Sequence, residues 1–138
     1  MARRSAAGWT TRVTGVNGDL GELEATVMSL VWRAETPMTV RETMEELRRL
    51  DRPLAYTTVA TVMDNLHSKG HLSRHPAGRA FRYAATRSQA QHTAALMLLA
   101  LHRGGDQDAA LAAFCTALSQ DQQMALHRAL AGKGEDAR

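Results

Sequence analysis

Between Leu20 and Leu66 apolar side chains recur at helical spacing in three separate blocks, and beyond Gly70 the pattern shortens to that of two brief strands. That order constrains the chain more than any other feature in it. The first block predicts a helix from about Leu20 to Arg33, because Leu20, Leu23, Val27, Leu30 and Val31 share one face. Asp19 is its expected N-cap, with Glu22 three residues on. Thr36-Pro37 ends the block, since proline cannot continue a helix and restricts the residue before it. A second helix opens at the capping box Thr39-x-x-Glu42, carries the stripe Val40, Met44, Leu47 and Leu50, and stops before Pro53.

The third helix spans about Tyr56 to Lys69 and turns Val59, Val62, Met63 and Leu66 inward. At about 100° per residue, Thr57, Thr61, Asp64 and Ser68 line the opposite face, with Ala60 and Asn65 on its flanks. An ordinary exposed face would be built from Lys, Glu and Arg. Thr is a mediocre helix former, so a stripe of it needs a reason. Short polar side chains permit the close approach that a DNA major groove demands. The bland alternative, a Thr-rich surface helix, explains less.

Gly70 closes that helix as its C′ residue. Strands are expected over His71–His75 and Ala80–Ala84, joined by Pro76-Ala77-Gly78. Leu72, Phe81 and Tyr83 are the candidates to pack inward, leaving Arg74, Arg79 and Arg82 around the tip and outer face. The charge distribution agrees: residues 65–87 carry Lys69, Arg74, Arg79, Arg82 and Arg87 and no acid, although the whole chain is only +3. A basic block beside acidic neighbours points to a polyanion met at one face. Three helices followed by a basic hairpin is the order of a winged helix-turn-helix, in which the third helix enters the major groove and the wing follows the backbone.

From Ser88 the chain is helical again. Thr93–Leu101 is almost wholly apolar, Gly104-Gly105 ends that helix, Asp106 or Asp108 opens the next, and Ser119-x-x-Gln122 caps the last. Leu96, Met97, Leu99, Leu111, Phe114, Leu118, Leu126 and Leu130 present more apolar surface than three short helices can bury among themselves, which predicts a second copy as partner. The expected fold is therefore mainly α with a small β-hairpin wing. It comprises a flexible basic arm at 1–18, a winged helix-turn-helix DNA-binding domain at 19–87, a helical dimerisation domain at 88–131 and a disordered tail at 132–138.

Little else in the sequence carries chemistry. His67, His71 and His75 recur every four residues, but Gly70 and the strand break their common face, and His92, His102 and His127 have no Cys or carboxylate partner at ligand spacing, so no metal site is expected. Cys115 sits in an apolar stripe, as a small hydrophobe does. No phosphate-binding glycine loop, nucleophile elbow or zinc-protease motif occurs, so neither catalytic residues nor a cofactor are expected. The longest apolar run, Ala94–Leu101, is far short of a membrane span, and a single Cys suits a reducing compartment; a cytoplasmic location without membrane insertion is expected.

The helix residues Ala55-Tyr56-Thr57-Thr58-Val59, Thr61-Val62-Met63, the wing Gly78-Arg79-Ala80-Phe81-Arg82-Tyr83, and the opening Leu20-Gly21-Glu22-Leu23-Glu24 resemble the penicillinase-repressor family of bacterial transcriptional repressors over about residues 19–131. The resemblance implies a homodimer that binds a dyad-symmetric operator and controls β-lactamase, cell-wall-stress or related genes. It implies base contacts from Thr57, Thr58 and Thr61, wing contacts from Arg79 and Arg82, and a membrane sensor protease pathway that releases the operator; Tyr56, Asn65 and Arg74 are further candidate DNA contacts of the same helix and wing. The methicillin-resistance repressor has basic residues where this chain has Thr57 and Ala60. The Asn-Phe bond cleaved in staphylococcal members is Ala113-Phe114 here, and the Cys-x-Cys pairs of copper-responsive members are reduced to Cys115. Two alternatives stay open: a winged-helix protein-interaction module, and a repressor of this family answering another signal such as copper or redox change.

Overall fold

The computed structural model describes residues 20–136. The expected N-terminal arm and the expected cap Asp19 lie outside them. Eight elements follow in order: α1 (Glu22–Arg33), α2 (Val40–Arg49), α3 (Tyr56–Ser68), β1 (Leu72–Ala77), β2 (Ala80–Ala85), α4 (Gln89–Arg103), α5 (Gln107–Ala117) and α6 (Gln120–Asp136). They form two compact units that divide between Leu96 and Met97.

Each described helix except α3, whose N-cap Ala55 makes no side-chain bond, begins where a local donor or acceptor closes its first turn. α1 starts two residues later than the apolar pattern suggests, with Gly21 as N-cap. Its backbone N–H donates to Glu24 Oε1 at 3.0 Å, half of a capping box, and glycine has no side chain to return the other half. At α2 the box is complete: Glu42 N–H donates to Thr39 Oγ1 at 3.1 Å, and Thr39 N–H to Glu42 Oε1 at 2.9 Å. α2 buries Val40, Thr43 and Leu47, and the Thr43 hydroxyl is satisfied by Thr39 O at 2.9 Å. Leu50, expected on the buried stripe, is the C-cap and lies 46% exposed, because the helix has ended before its side chain can turn inward.

α3 ends in a Schellman motif. Gly70 takes φ +87°, its N–H donates to His67 O, and His71 N–H donates to Leu66 O. The two strands pair antiparallel, from Leu72 opposite Ala85 to Ala77 opposite Ala80. The turn is therefore Gly78-Arg79, not Pro76-Ala77-Gly78. Positive φ at Gly78 alone fits a two-residue type II′ turn with glycine first. Pro76 is tolerated inside β1 because β1 is an edge strand. The other edge of β2 bonds Met38, through Met38 N–H to Tyr83 O at 2.9 Å and Tyr83 N–H to Met38 O at 2.8 Å.

The core of this unit is one cluster from α1, α2, α3 and the hairpin. Val27, Leu47, Val59, Met63 and Leu66 are completely buried, and Leu72 and Tyr83 nearly so. Burying each such side chain contributes about 1.5–3 kcal/mol. The first two turns of α4 pack with this unit too. Trp32 Nε1 donates to Arg87 O at 3.0 Å, and the His92 ring sits 5.2 Å from that of Trp32 and 5.8 Å from that of His71.

In the second unit Asp106, rather than Asp108, caps α5 by accepting from Ala109 N–H at 3.1 Å. Ser119 and Gln122 cap α6 reciprocally, as their spacing predicts. Gln123 Nε2 ties the two helices by donating to Cys115 O and Leu118 O. α6 runs on through Gly132 to Asp136, where the sequence pattern predicts a disordered tail from 132. Neither α4 nor α5 has a buried residue. Met97, Leu98, Leu111, Phe114, Met124 and Leu130 are all exposed, and Leu96, Leu99, Leu118 and Leu126 are half-buried. Cys115, expected to be buried, is exposed in the single chain.

Candidate nucleic-acid interface

The inward face of α3 anchors it to α1 and α2, and its outward face is held clear. Tyr56, Thr57, Thr58, Thr61, Asp64, Asn65 and Ser68 are all exposed, and Ala60 is half-buried beside them. No Lys or Arg occurs between Tyr56 and Ser68, so α3 itself sends no long cationic side chain from this face. The Thr61 hydroxyl donates to Thr57 O at 2.9 Å, the usual back-bond of a helical threonine.

The wing arginines divide into two kinds. Arg79 stands at the turn, exposed, with no ion pair or side-chain hydrogen bond among the described residues. Arg74 and Arg82, expected around the tip and outer face, are instead turned onto neighbouring elements. Arg74 Nη1 donates to Asp64 Oδ1 of α3 at 2.8 Å, and its guanidinium lies 4.5 Å from the Phe81 ring centre. Tyr83, then Asp64, favour its charged form. Phe81, expected to pack inward, is 42% exposed: it shares a face with Tyr83 but lies nearer the turn, beyond the reach of the helices, and Arg74 covers it.

Arg82 reaches the start of α2, where Nη1 donates to Glu42 Oε1 at 3.0 Å and to Pro37 O at 2.9 Å. The capping carboxylate of α2 therefore also fixes the wing. The Thr39 N–H, and after it the Thr39 hydroxyl and Arg82, hold the Glu42 carboxyl below its ordinary value against some desolvation. At the other end of α3, Lys69 Nζ bonds both carboxylate oxygens of Glu24, at 3.0 and 3.2 Å. Burial there works to raise the Glu24 pKa, but the Gly21 N–H, Lys69 and His71 outweigh it and leave it lowered. Three of the five cations in the basic block are thus already matched to carboxylates. The sequence places Glu42 in a capping box and Asp64 on the outward face of the third helix, but gives neither a wing arginine as partner. The available signal was that Asp64 is the only acid between Tyr56 and Arg87.

No group of three or more His, Cys, Asp or Glu among the described residues could hold a metal ion. No described helix is long and apolar enough to cross a membrane.

A helical trio with a short-chained polar face on its third member, followed by a hairpin with a bare arginine at its turn, defines a winged helix-turn-helix of the DNA-binding class. The model of the penicillinase repressor family matches residues 20–132. "Transcriptional regulator BlaI" of Mycobacterium tuberculosis, in strains CDC 1551 / Oshkosh and ATCC 25618 / H37Rv, is 40% identical over 115 residues, which cover 81% of this chain and 83% of that protein. The chain belongs to the penicillinase repressor family; it is a transcriptional regulator and not an enzyme. Among solved structures, a mutant of S. aureus MepR bound to an oligodeoxyribonucleotide is similar in fold, with a TM-score of 0.54 at 13% identity, covering 99% of this chain and 94% of that one. The DNA-binding domain of the repressor BlaI, a solution structure, is 25% identical, covers 51% of this chain and 84% of its own, and has a TM-score of 0.46.

Proposed function

We propose that the chain is a cytoplasmic homodimeric repressor that holds a dyad-symmetric operator, with α3 in the major groove and the wing along the phosphate backbone. The observation that carries this reading is the outward face of α3, where Thr57, Thr58, Thr61 and Asn65 stand exposed among short side chains beside the bare Arg79. Tyr56 and Thr58 flank the entry to the groove. Hydroxyls and amides of this size reach base edges, and a thymine methyl can pack on a Thr methyl. The second copy is supported by the exposed Leu and Met side chains of α4, α5 and α6. A twofold dimer would set two copies of α3 about one DNA turn apart, ~34–36 Å, or a multiple of it.

β-Lactamase, cell-wall-stress or related genes are the proposed targets, on the strength of the family. Release by cleavage between Ala113 and Phe114 is not part of the proposal, since the Asn that precedes the cut in staphylococcal members is absent. A gel shift on the duplex immediately upstream of its own coding sequence tests the reading. A discrete complex with one dimer, weakening steeply as salt rises because bound phosphates release counterions, is the expected result. Affinity that is flat in salt, or equal on scrambled DNA, would sink it.

A further inference from the structure

Building on the DNA-binding reading above, we propose that Arg74 and Asp64 form a clasp that sets the wing against α3. Both are then positioning residues for operator binding, and Arg74 is not a phosphate contact. Three elements meet at this guanidinium. Arg74 lies on β1 directly opposite the buried Tyr83 of β2, its Nη1 bonds Asp64 of α3 at 2.8 Å, and the Phe81 ring of β2 lies against it at 4.5 Å. The hairpin also meets α3 near its base, where Leu72 is buried and its carbonyl lies 3.0 Å from His67 Nδ1. At the level of Tyr83, farther toward the turn than Leu72, the Arg74 bridge links the wing to the helix whose face it must complement.

Charge makes the case sharper. Asp64 is the only acid between Tyr56 and Arg87, and it is exposed on the face offered to DNA. An unmatched carboxylate there would repel phosphates. Paired with Arg74 it carries no net charge, and the phosphate attraction of the wing is left to Arg79 at the turn. The competing account has Arg74 swinging away to a phosphate, with Asp64 an incidental and unhelpful neighbour. The two accounts predict opposite signs for one substitution.

The test uses the full-length chain and the duplex upstream of its coding sequence, titrated at several salt concentrations, with a melt on each variant to show that it is folded. With a clasp, Asp64→Asn weakens binding about fivefold per half-site, from an exposed ion pair plus the cation–ring contact it orients, so roughly 25-fold over both half-sites. Asp64→Glu recovers most of that loss. The double variant Asp64→Asn/Arg74→Ala binds no worse than either single one, and its slope of log affinity against log salt matches the unaltered chain. Arg79→Ala lowers that slope by about 0.9 per half-site. Tighter binding by Asp64→Asn, additive losses in the double variant, or a reduced slope there would each overturn the clasp while leaving the repressor reading intact. Failure of the unaltered chain to bind the duplex would instead overturn the repressor reading itself.

Discussion

A hydroxyl has one proton to donate, and Thr61 gives its own to the Thr57 carbonyl at 2.9 Å. Toward a groove the oxygen is then left as an acceptor, suited to the amino group of adenine or cytosine, with the methyl free to lie on thymine. Thr61→Ala should cost about 1–3 kcal/mol on the operator and little on random DNA. Competition binding on both duplexes checks this, and equal losses would remove Thr61 from the base-reading set. The position of this threonine is legible from the helical period alone. Its donor being already spent is not, because the choice of rotamer depends on the backbone around it.

At the scale of the element, the end of α2 shows strain that a single substitution should relieve. Asp51 takes φ +61°, while its N–H donates to Arg48 O and Arg52 N–H to Leu47 O. This is the glycine-favoured C′ geometry, which disfavours a side chain by roughly 1–2 kcal/mol, less for Asp. Asp51→Gly should therefore stabilise by about 0.5–1 kcal/mol after glycine's own entropy cost, raising Tm by a few degrees; a fall in Tm would contradict the argument. The junction of α1 and α4 makes a pH prediction. Burial, then His71 and Arg87 nearby, lower the His92 pKa below its ordinary 6.5. The folded state thus binds that proton less readily than the unfolded chain does. Its contribution is complete above pH 6.5 and is lost as pH falls through the folded pKa. Glu24 and Glu42, both lowered from 4.5, add a second loss at lower pH. Tm followed across pH should show the upper step, and His92→Gln should remove it and leave the lower one. An upper step that survives the substitution would assign it to another group.

Across the whole molecule, apolar exposure outweighs what one chain can explain. Leu111 and Phe114 are 46% and 40% exposed on α5, so charging them should leave the single chain folded. Leu111→Glu/Phe114→Glu is expected to sediment as a monomer. It should bind the operator a hundredfold or more weakly, roughly the loss of the second, tethered half-site. A variant that stays dimeric, or keeps its affinity, would take this face out of the assembly.

Caps and periods are local, and the sequence determined them. The Thr39–Glu42 and Ser119–Gln122 boxes, the glycine stop at Gly70 and the threonine face of α3 depend on partners no more than a few residues away, which any helix of this sequence would bring together. The excess of apolar surface on α4, α5 and α6 was legible for the same reason. What only the tertiary structure decided is which charges remain free. Arg74 meets a carboxylate ten residues away, Arg82 one forty away and Lys69 one forty-five away. A basic block of five thus presents far less net charge than its composition suggests. Phe81 and Leu50, apolar and correctly spaced for burial, stay exposed because the packed surface ends before it reaches them. Side-chain period sets direction, whereas burial and pairing need another element at the right distance, and that distance exists only in the folded chain.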